Sequence, residues 1–355
     1  MSDLMYRPLG RQPVLDGLRG VAIILVLLRH LAPSTFGGGG FVGVQLFFVL
    51  SGFLITSLLI DERMATGRVS FRAFYARRAL RLLPALYTLL AIYSIAALVL
   101  TGTGDLSKWL PWVAAAAVYL TPFAGLLGIP EAPGLNPLWT LAVEEIFYVF
   151  WPIALLLLLR AASRNVALWV TGGAVVAFAA VRWITYLGFG SDIYETPTTW
   201  IDALLIGCLL AQLWTYKLLP HLRGLWVLPF AAVILIAVTL WSGAKEHAFT
   251  YGPLLTVLAA VGAVSIWSAT DQSAGLARLL RTRVLRWFGT RSYGLYLWNG
   301  VFLLQEPVRG NFLTLGGALI ASLVLAELSY RFVERPALRL KRRFERDRTQ
   351  PQRQR

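Results

Sequence analysis

The sequence predicts an all-α, polytopic integral membrane protein with about ten transmembrane helices around a central cavity. Hydrophobic residues make up 57% of the 355 residues, whereas a soluble protein contains about 45–50%. The mean hydropathy is +0.64, and apolar runs of roughly 20 residues, the length that crosses a bilayer, recur along the whole chain. We therefore expect one transmembrane domain over residues 1–338, followed by a basic, disordered cytoplasmic tail over residues 339–355.

The order of apolar and basic segments predicts how the chain crosses the membrane. Eleven apolar segments are candidates, at residues 14–33, 41–60, 83–101, 109–127, 138–159, 166–187, 198–216, 224–241, 249–268, 291–309 and 312–333. Arginine and lysine are concentrated in the connections at 61–82, 160–165, 217–223 and 270–290 and in the tail. Because basic loops stay on the cytoplasmic side, we expect a multi-pass protein of the cell membrane with both termini in the cytoplasm.

One of these segments should not cross the membrane. Two cytoplasmic termini require an even number of crossings, and eleven segments are one too many. The weakest is 109–127, which Pro111 and Pro122 interrupt. We predict a re-entrant or surface-lying helix here, on the outer side, which leaves ten crossings.

The charged residues and the single cysteine narrow the classes of ligand. The net charge is +15, and it sits in loops between apolar segments, which favours anionic lipids or ligands over nucleic acid. The single cysteine, Cys208, excludes an internal disulfide and a cysteine-based metal site. Three histidines are too few for a histidine-rich metal cluster. We therefore predict no metal ion and no nucleic-acid partner.

The first apolar segment carries unusual charges, because ionisable groups inside a membrane helix are costly and usually functional. Arg19 and His30 are eleven positions apart in it, which places them about 20° apart around a helix and about 16 Å apart along it. One helix face would then carry a permanent cation near the cytoplasmic end and an imidazole in the outer half. The alternative is a pair of membrane-end anchors, with Arg19 snorkelling and His30 capping the exit.

Two carboxylates are predicted at a depth similar to that of the imidazole. Glu144 and Glu145 follow the outer end of an inward-running segment, about 8 Å below the outer surface. A histidine beside a carboxylate is a general-base arrangement, so His30, Glu144 and Glu145 are the candidate catalytic residues. The alternative for the glutamates is a structural ion pair with Arg29 or Arg182.

A second group of charges is predicted at the cytoplasmic side. Arg77, Arg78 and Arg81 form a basic cluster and, with Arg19, are candidates to hold the phosphates of a donor such as acyl-CoA. The alternative for the cluster is plain positive-inside anchoring. The chain contains no G-x-S-x-G motif, which favours direct transfer to an acceptor over a covalent enzyme intermediate.

Several polar and aromatic residues are candidates for binding the acceptor. Asp202 lies near the outer end of its segment and could bind acceptor hydroxyls. Trp139, Tyr148, Tyr293 and Trp298 could stack on a flat face of the acceptor. Aromatic residues in membrane segments are more often packing or interfacial-belt residues.

Six stretches in order resemble the motifs of the acyltransferase-3 family of integral-membrane O-acyltransferases, over nearly the whole chain. They are residues 15–20 followed by His30, and residues 43–55, 77–84, 137–148, 292–298 and 332–336. The first resembles the family's arginine-x10-histidine signature, and the third its RR-x-x-R-x-x-P loop. Each motif alone is weak, whereas six in order in an apolar chain are specific.

The resemblance implies transfer of an acyl group, often acetyl, from cytoplasmic acyl-CoA to a hydroxyl of a carbohydrate. It implies that His30 is catalytic and that Arg19 helps to hold the donor. Asn299 stands where members often have histidine, so one alternative base is replaced here, and we count Asn299 among the substrate-binding candidates. Polysaccharide, glycosylated and macrolide acceptors remain open, because short members include antibiotic-tailoring enzymes.

Two other classes of function fit the same residues. Buried charges around a cavity are also typical of a transporter or a flippase for a polar or lipid-linked substrate. A scaffold protein without a small ligand is the third class. Binding of acetyl-CoA separates the enzyme from the transporter, and a silent His30→Ala substitution would favour the scaffold.

Overall fold

The computed structural model describes residues 7–10, 12–161, 163–220, 227–270, 275–304 and 312–341, and over these residues the fold is all-α, as predicted. The helices are α1 Pro13–Leu31, α2 Gly39–Thr66, α3 Phe71–Thr101, α4 Leu106–Ala117, α5 Trp139–Ala161, α6 Arg164–Phe189, α7 Ile201–Thr215, α8 Val227–Thr239, α9 Leu255–Thr270, α10 Gly275–Leu280, α11 Arg283–Thr290, α12 Ser292–Leu303, α13 Phe312–Ser329 and α14 Arg335–Lys341. No strand occurs in the described ranges.

In the part of the chain that the structure describes, six helical segments are long and apolar enough to cross a membrane, which confirms a polytopic membrane protein. They are Gly39–Thr66, Phe71–Thr101, Asn136–Arg160, Arg164–Glu195, Thr250–Thr270 and Leu313–Leu340. Two shorter apolar helices, Ile201–Thr215 and Pro229–Thr239, accompany them. Helix α1 has 19 residues, but its charged side chains keep it out of the six. The total of ten crossings and the central cavity therefore stay predictions.

The segment 109–127 does not form a spanning helix. Helix α4 ends at Ala117 after 12 residues, about 18 Å of helix, whereas the hydrocarbon core is about 30 Å thick. The chain then turns through Tyr119, which has a φ of 60°, into the short 3₁₀-helix Thr121–Phe123. The prediction that this segment does not span is therefore confirmed, although the helix breaks after Pro111 and not at it.

The chain folds as two compact units, each built from two stretches of sequence. The first is Met1–Leu58 with Val143–Ser292, and the second is Leu59–Ala142 with Tyr293–Arg355. The predicted domain boundary at 338 stays a prediction. Helix α14 runs across it to Lys341, and residues 342–355 of the predicted tail lie outside the described residues.

Glycines set the position of α1 within the first unit. A Cβ atom added to Gly17 would fall closer than 3 Å to the backbone of α10, and one added to Gly20 equally close to the backbone of α11. In return, a Cβ on Gly289 of α11 would overlap the carbonyl of Asp16. The helices therefore pack backbone against backbone, as small residues allow in membrane proteins. This contact fixes the segment that carries Arg19.

Candidate functional site

Arg19 and His30 lie on one helix, as the sequence predicted. Both side chains are half-buried on α1. The guanidinium of Arg19 donates to the hydroxyl of Ser292, at 3.4 Å from Nε and 3.3 Å from Nη2. It also lies 5.9 Å from the ring centre of Phe47. Ser292 is the first residue of α12, so the junction of α11 and α12 positions the guanidinium.

His30 lies in the last turn of α1. The helix ends because Pro33 follows, and the backbone N–H of Ala32 closes the last turn on the carbonyl of Leu28. Arg29 lies against the beginning of α2, where a Cβ on Gly40 would come within 3.3 Å of the Arg29 side chain. His30 therefore stands at the end of α1 opposite to the end that α10 and α11 hold.

Glu144 is held by two hydroxyl groups. Its Oε1 atom accepts a 2.7 Å hydrogen bond from Ser51 of α2 and another of 2.7 Å from Tyr148, one turn along α5. Hydrogen bonds to a carboxylate are among the stronger ones and fix its orientation. Glu145, the next residue, is half-buried. Ser51 was not singled out from the sequence, although it lies within the motif at 43–55.

Asp202 forms a fully buried ion pair with Arg182. Its Oδ2 atom lies 2.6 Å from Nη1 of Arg182, and both side chains are 0% exposed. The same oxygen accepts a 2.7 Å hydrogen bond from Thr256. Arg182 therefore pairs with Asp202 and, among the described contacts, not with Glu144 or Glu145, the partners considered from the sequence.

Arg182 also caps an interrupted helix. It donates to the carbonyls of Tyr251 at 2.7 Å and Gly252 at 3.0 Å. Gly252 has a non-helical backbone, with φ −76° and ψ −111°, just before Pro253 and α9. The guanidinium thus binds carbonyl groups that this break exposes, which is how irregular backbone is tolerated at membrane depth.

In the second unit, Arg77 is engaged in another enclosed ion pair. Its Nη2 atom lies 2.9 Å from Oε2 of Glu62, and the side chains are 8% and 4% exposed. Oε1 of Glu62 accepts a 2.9 Å hydrogen bond from the backbone of Ser70, which caps α3. Arg78 and Arg81 are half-buried on α3. The predicted role of these arginines in donor binding stays a prediction.

The four predicted aromatic residues are all buried: Trp139, Tyr148, Tyr293 and Trp298. The hydroxyl of Tyr293 donates to the carbonyl of Leu82 at 2.8 Å. Asn299 is 0% exposed, and its side-chain amide donates to two carbonyls of its own helix, at Leu295 and Tyr296. These contacts fit the packing interpretation, and contact with an acceptor stays a prediction.

The structure divides the predicted site residues between the units. The first unit contains Arg19, His30, Glu144, Glu145, Tyr148 and Asp202, and the second contains Arg77, Arg78, Arg81, Trp139, Tyr293, Trp298 and Asn299. Within the described residues, no group of three or more His, Cys, Asp or Glu side chains is placed to hold a metal ion.

Comparison with known proteins gives one family and several bacterial relatives. The Acyltransferase domain family (Acyl_transf_3) matches residues 13–327. A candidate peptidoglycan O-acetyltransferase of Bacillus subtilis, YrhL, is 35% identical over 91% of this chain. The peptidoglycan O-acetyltransferase OatA of Listeria monocytogenes is 33% identical over 91% of this chain. A candidate O-acetyltransferase of Staphylococcus aureus is 30% identical over 93% of this chain.

These relatives are longer proteins. The chain covers 54%, 55% and 58% of their respective lengths, and so spans about half the length of the curated relatives it matches. No solved structure gives a significant match to the chain.

Proposed function

The chain belongs to the acyltransferase-3 family, and we propose that it is a membrane O-acetyltransferase that moves an acetyl group from acyl-CoA to a carbohydrate hydroxyl. The observation that carries the proposal is the placement of Arg19 and His30 on one rigidly packed helix. Three relatives are named as O-acetyltransferases, two of them for peptidoglycan. A cell-wall glycan is therefore the first acceptor to test, and a macrolide hydroxyl the second.

In the proposed reaction His30 is the general base. The imidazole takes the proton of the acceptor hydroxyl as the oxygen attacks the carbonyl carbon of the thioester. The carbon–sulfur bond breaks, and the departing thiolate takes up the proton, so that the products are an O-acetyl ester and free CoA. Glu144, held by Ser51 and Tyr148, or Glu145 would stabilise the imidazolium that forms in between.

The donor is proposed to bind through its phosphates. Arg19 is half-buried, and a guanidinium matches phosphate geometry better than an ammonium does. In the second unit, Arg78 and Arg81 are the partly exposed candidates, whereas Arg77 is committed to Glu62. We propose the cell membrane as the location, with both termini in the cytoplasm, because this places the basic connections on the side where acyl-CoA is made.

The first experiment compares two histidines. Purified protein in lipid nanodiscs receives radiolabelled acetyl-CoA and soluble glycan fragments, and release of CoA and ester formation are measured. We expect His30→Ala to lower turnover by about 10²- to 10⁴-fold, the usual contribution of a general base. The matched control is His247→Ala, because His247 is exposed and contacts the ring of Trp241 at 5.0 Å. Full turnover in a folded His30→Ala protein would contradict the proposal.

A transporter or flippase is the second candidate, because the interrupted helix at Gly252 and the buried pair Arg182–Asp202 are features that transporters share. Calorimetry with acetyl-CoA separates the two functions. A folded wild-type protein that releases no heat with acetyl-CoA would favour the transporter.

A further inference from the structure

Helices α10 and α11 form a short surface segment between two apolar helices. Helix α9 ends the candidate span Thr250–Thr270, and α10 begins five residues later, which favours a position at a membrane surface. Helices α10 and α11 also lie beside the first turns of α1, where Gly17 and Gly20 contact their backbones. This surface is therefore the one near Arg19.

The segment carries a dense group of arginines. Arg278, Arg281 and Arg283 are exposed, and Arg286 is half-buried with a buried Nε atom that has no hydrogen-bond partner. Among the described residues, no carboxylate pairs with any of the four. Guanidiniums at four positions of one short segment repel one another where the described part of the chain supplies no carboxylate to pair with them, so an external anion would stabilise them.

Apolar side chains are interleaved with these arginines. Leu279 is 53% exposed and Val284 is 64% exposed. Trp287 is half-buried, and the guanidinium of Arg291 lies 4.8 Å from its ring centre. Exposed aliphatic groups, a tryptophan and arginines along one short segment of two helices are the pattern of a segment that lies in the headgroup region of a bilayer.

We propose that α10 and α11 form a binding site for the phosphates of anionic phospholipids in the adjacent leaflet. The arginines bind the phosphates, and the exposed Leu279 and Val284 enter the boundary between headgroups and acyl chains. The apolar side chains favour a lipid over a soluble phosphate compound, which would gain nothing from them. Because α11 packs on α1 through Gly20 and Gly289, bound lipid also stabilises the position of the helix that carries Arg19.

The test measures thermal unfolding of the purified full chain with added phosphatidylglycerol or phosphatidylcholine. We expect phosphatidylglycerol to raise the midpoint by about 3–6 °C over phosphatidylcholine. The variant R278Q/R281Q/R283Q should lose most of this shift, since each arginine near the surface contributes roughly fivefold to binding. The variant R278K/R281K/R283K keeps the charge and should retain most of the shift.

The matched control removes the same charge from two other basic connections. Arg68, Arg72 and Arg164 are also exposed, and R68Q/R72Q/R164Q should keep the phosphatidylglycerol shift. If both glutamine variants lost the phosphatidylglycerol shift to the same extent, the proposal would be overturned. Attraction of the lipid by the net charge of the protein would then explain the shift without a specific site. Selective loss of acetyl-CoA binding with an intact lipid shift would also overturn the proposal and assign the arginines to the donor.

If the triple glutamine variant does not fold, the single variant R281Q is compared with R68Q by native mass spectrometry. Fewer retained phosphatidylglycerol molecules on R281Q would support the site, and equal numbers would overturn it. None of these binding readouts depends on the proposed acetyltransferase activity, so the two proposals can fail separately.

Discussion

Two arginines inside the first unit sit in opposite surroundings. Arg182 is 0% exposed, and Asp202 lies 2.6 Å from it, so its charge is neutralised within the protein. Arg19 is half-buried, and its described partners include a neutral hydroxyl at 3.3 Å and an aromatic ring. A charge inside an apolar helix is therefore not functional by itself. What separates the two in the described contacts is enclosure: Arg182 is fully buried with Asp202, whereas the Arg19 side chain is partly exposed.

The same comparison sorts the remaining charged candidates. Arg77 resembles Arg182, because Glu62 neutralises it and both side chains are enclosed. Asp202 is enclosed and paired in the same way. Arg78 and Arg81 resemble Arg19 in exposure. Enclosed pairs should therefore govern stability, whereas partly exposed charges should govern catalysis.

The largest effect that tests this division is expected at Arg182. The substitution Arg182→Met leaves Asp202 buried without its counterion, which lowers the free energy of unfolding by about 3–5 kcal/mol. We expect poor expression and a strongly lowered midpoint of thermal unfolding in detergent. The double variant R182M/D202L should recover part of the stability, because it removes the unpaired carboxylate but leaves the carbonyls of Tyr251 and Gly252 without their donor. A single variant as stable as the wild type would remove the basis of the comparison.

A smaller effect is expected at the glycines that hold α1. In Gly20→Ala the new Cβ would overlap the backbone of α11, and such overpacking costs about 1–3 kcal/mol. The displaced helix should also raise the KM for acetyl-CoA, since it carries Arg19. The control is Gly173→Ala in α6, where a Cβ meets nothing within 4 Å. If Gly20→Ala were as stable and as active as this control, packing would not position Arg19.

The helices were predictable from the sequence because their signals are local. The apolar run at 14–33 and the helical period place Arg19 and His30 on one helix, which the structure gives as Pro13–Leu31. It was also predictable that 109–127 does not span the membrane, because prolines interrupt it and two cytoplasmic termini require an even number of crossings. A local signal could not reveal where long-range partners would come from.

Three contacts illustrate that limit. Ser292 is 273 positions from Arg19, Ser51 is 93 positions from Glu144, and Arg182 is 20 positions and one helix away from Asp202. Each of these contacts depends on which helices pack against one another. The sequence of a single apolar helix does not show this, because the apolar helices have similar compositions. The ion pair of Asp202 with Arg182 was missed because Arg182 was weighed only against the glutamates, and the role of Asp202 in acceptor binding stays a prediction.

The smallest effect is expected at Ser292. The Ser292→Ala variant distinguishes positioning of the Arg19 guanidinium from stability of the fold. Ser292→Ala removes the hydroxyl that accepts from Arg19 at 3.3 and 3.4 Å. Hydrogen bonds of this kind contribute about 0.5–1.5 kcal/mol, which corresponds to a rise of roughly two- to tenfold in the KM for acetyl-CoA. The turnover number should stay near that of the wild type, because His30 is untouched.

The matched control for this variant is Ser265→Ala. Ser265 and Ser292 are both 2% exposed, but Ser265 donates to Val261 of its own helix and has no described contact with Arg19. Both variants should unfold within a degree or two of the wild type, and only Ser292→Ala should shift the KM. Equal KM values in the two variants would mean that the hydroxyl does not position the guanidinium for the donor. The comparison of Arg19 with Arg182 would then rest on the partial exposure of Arg19.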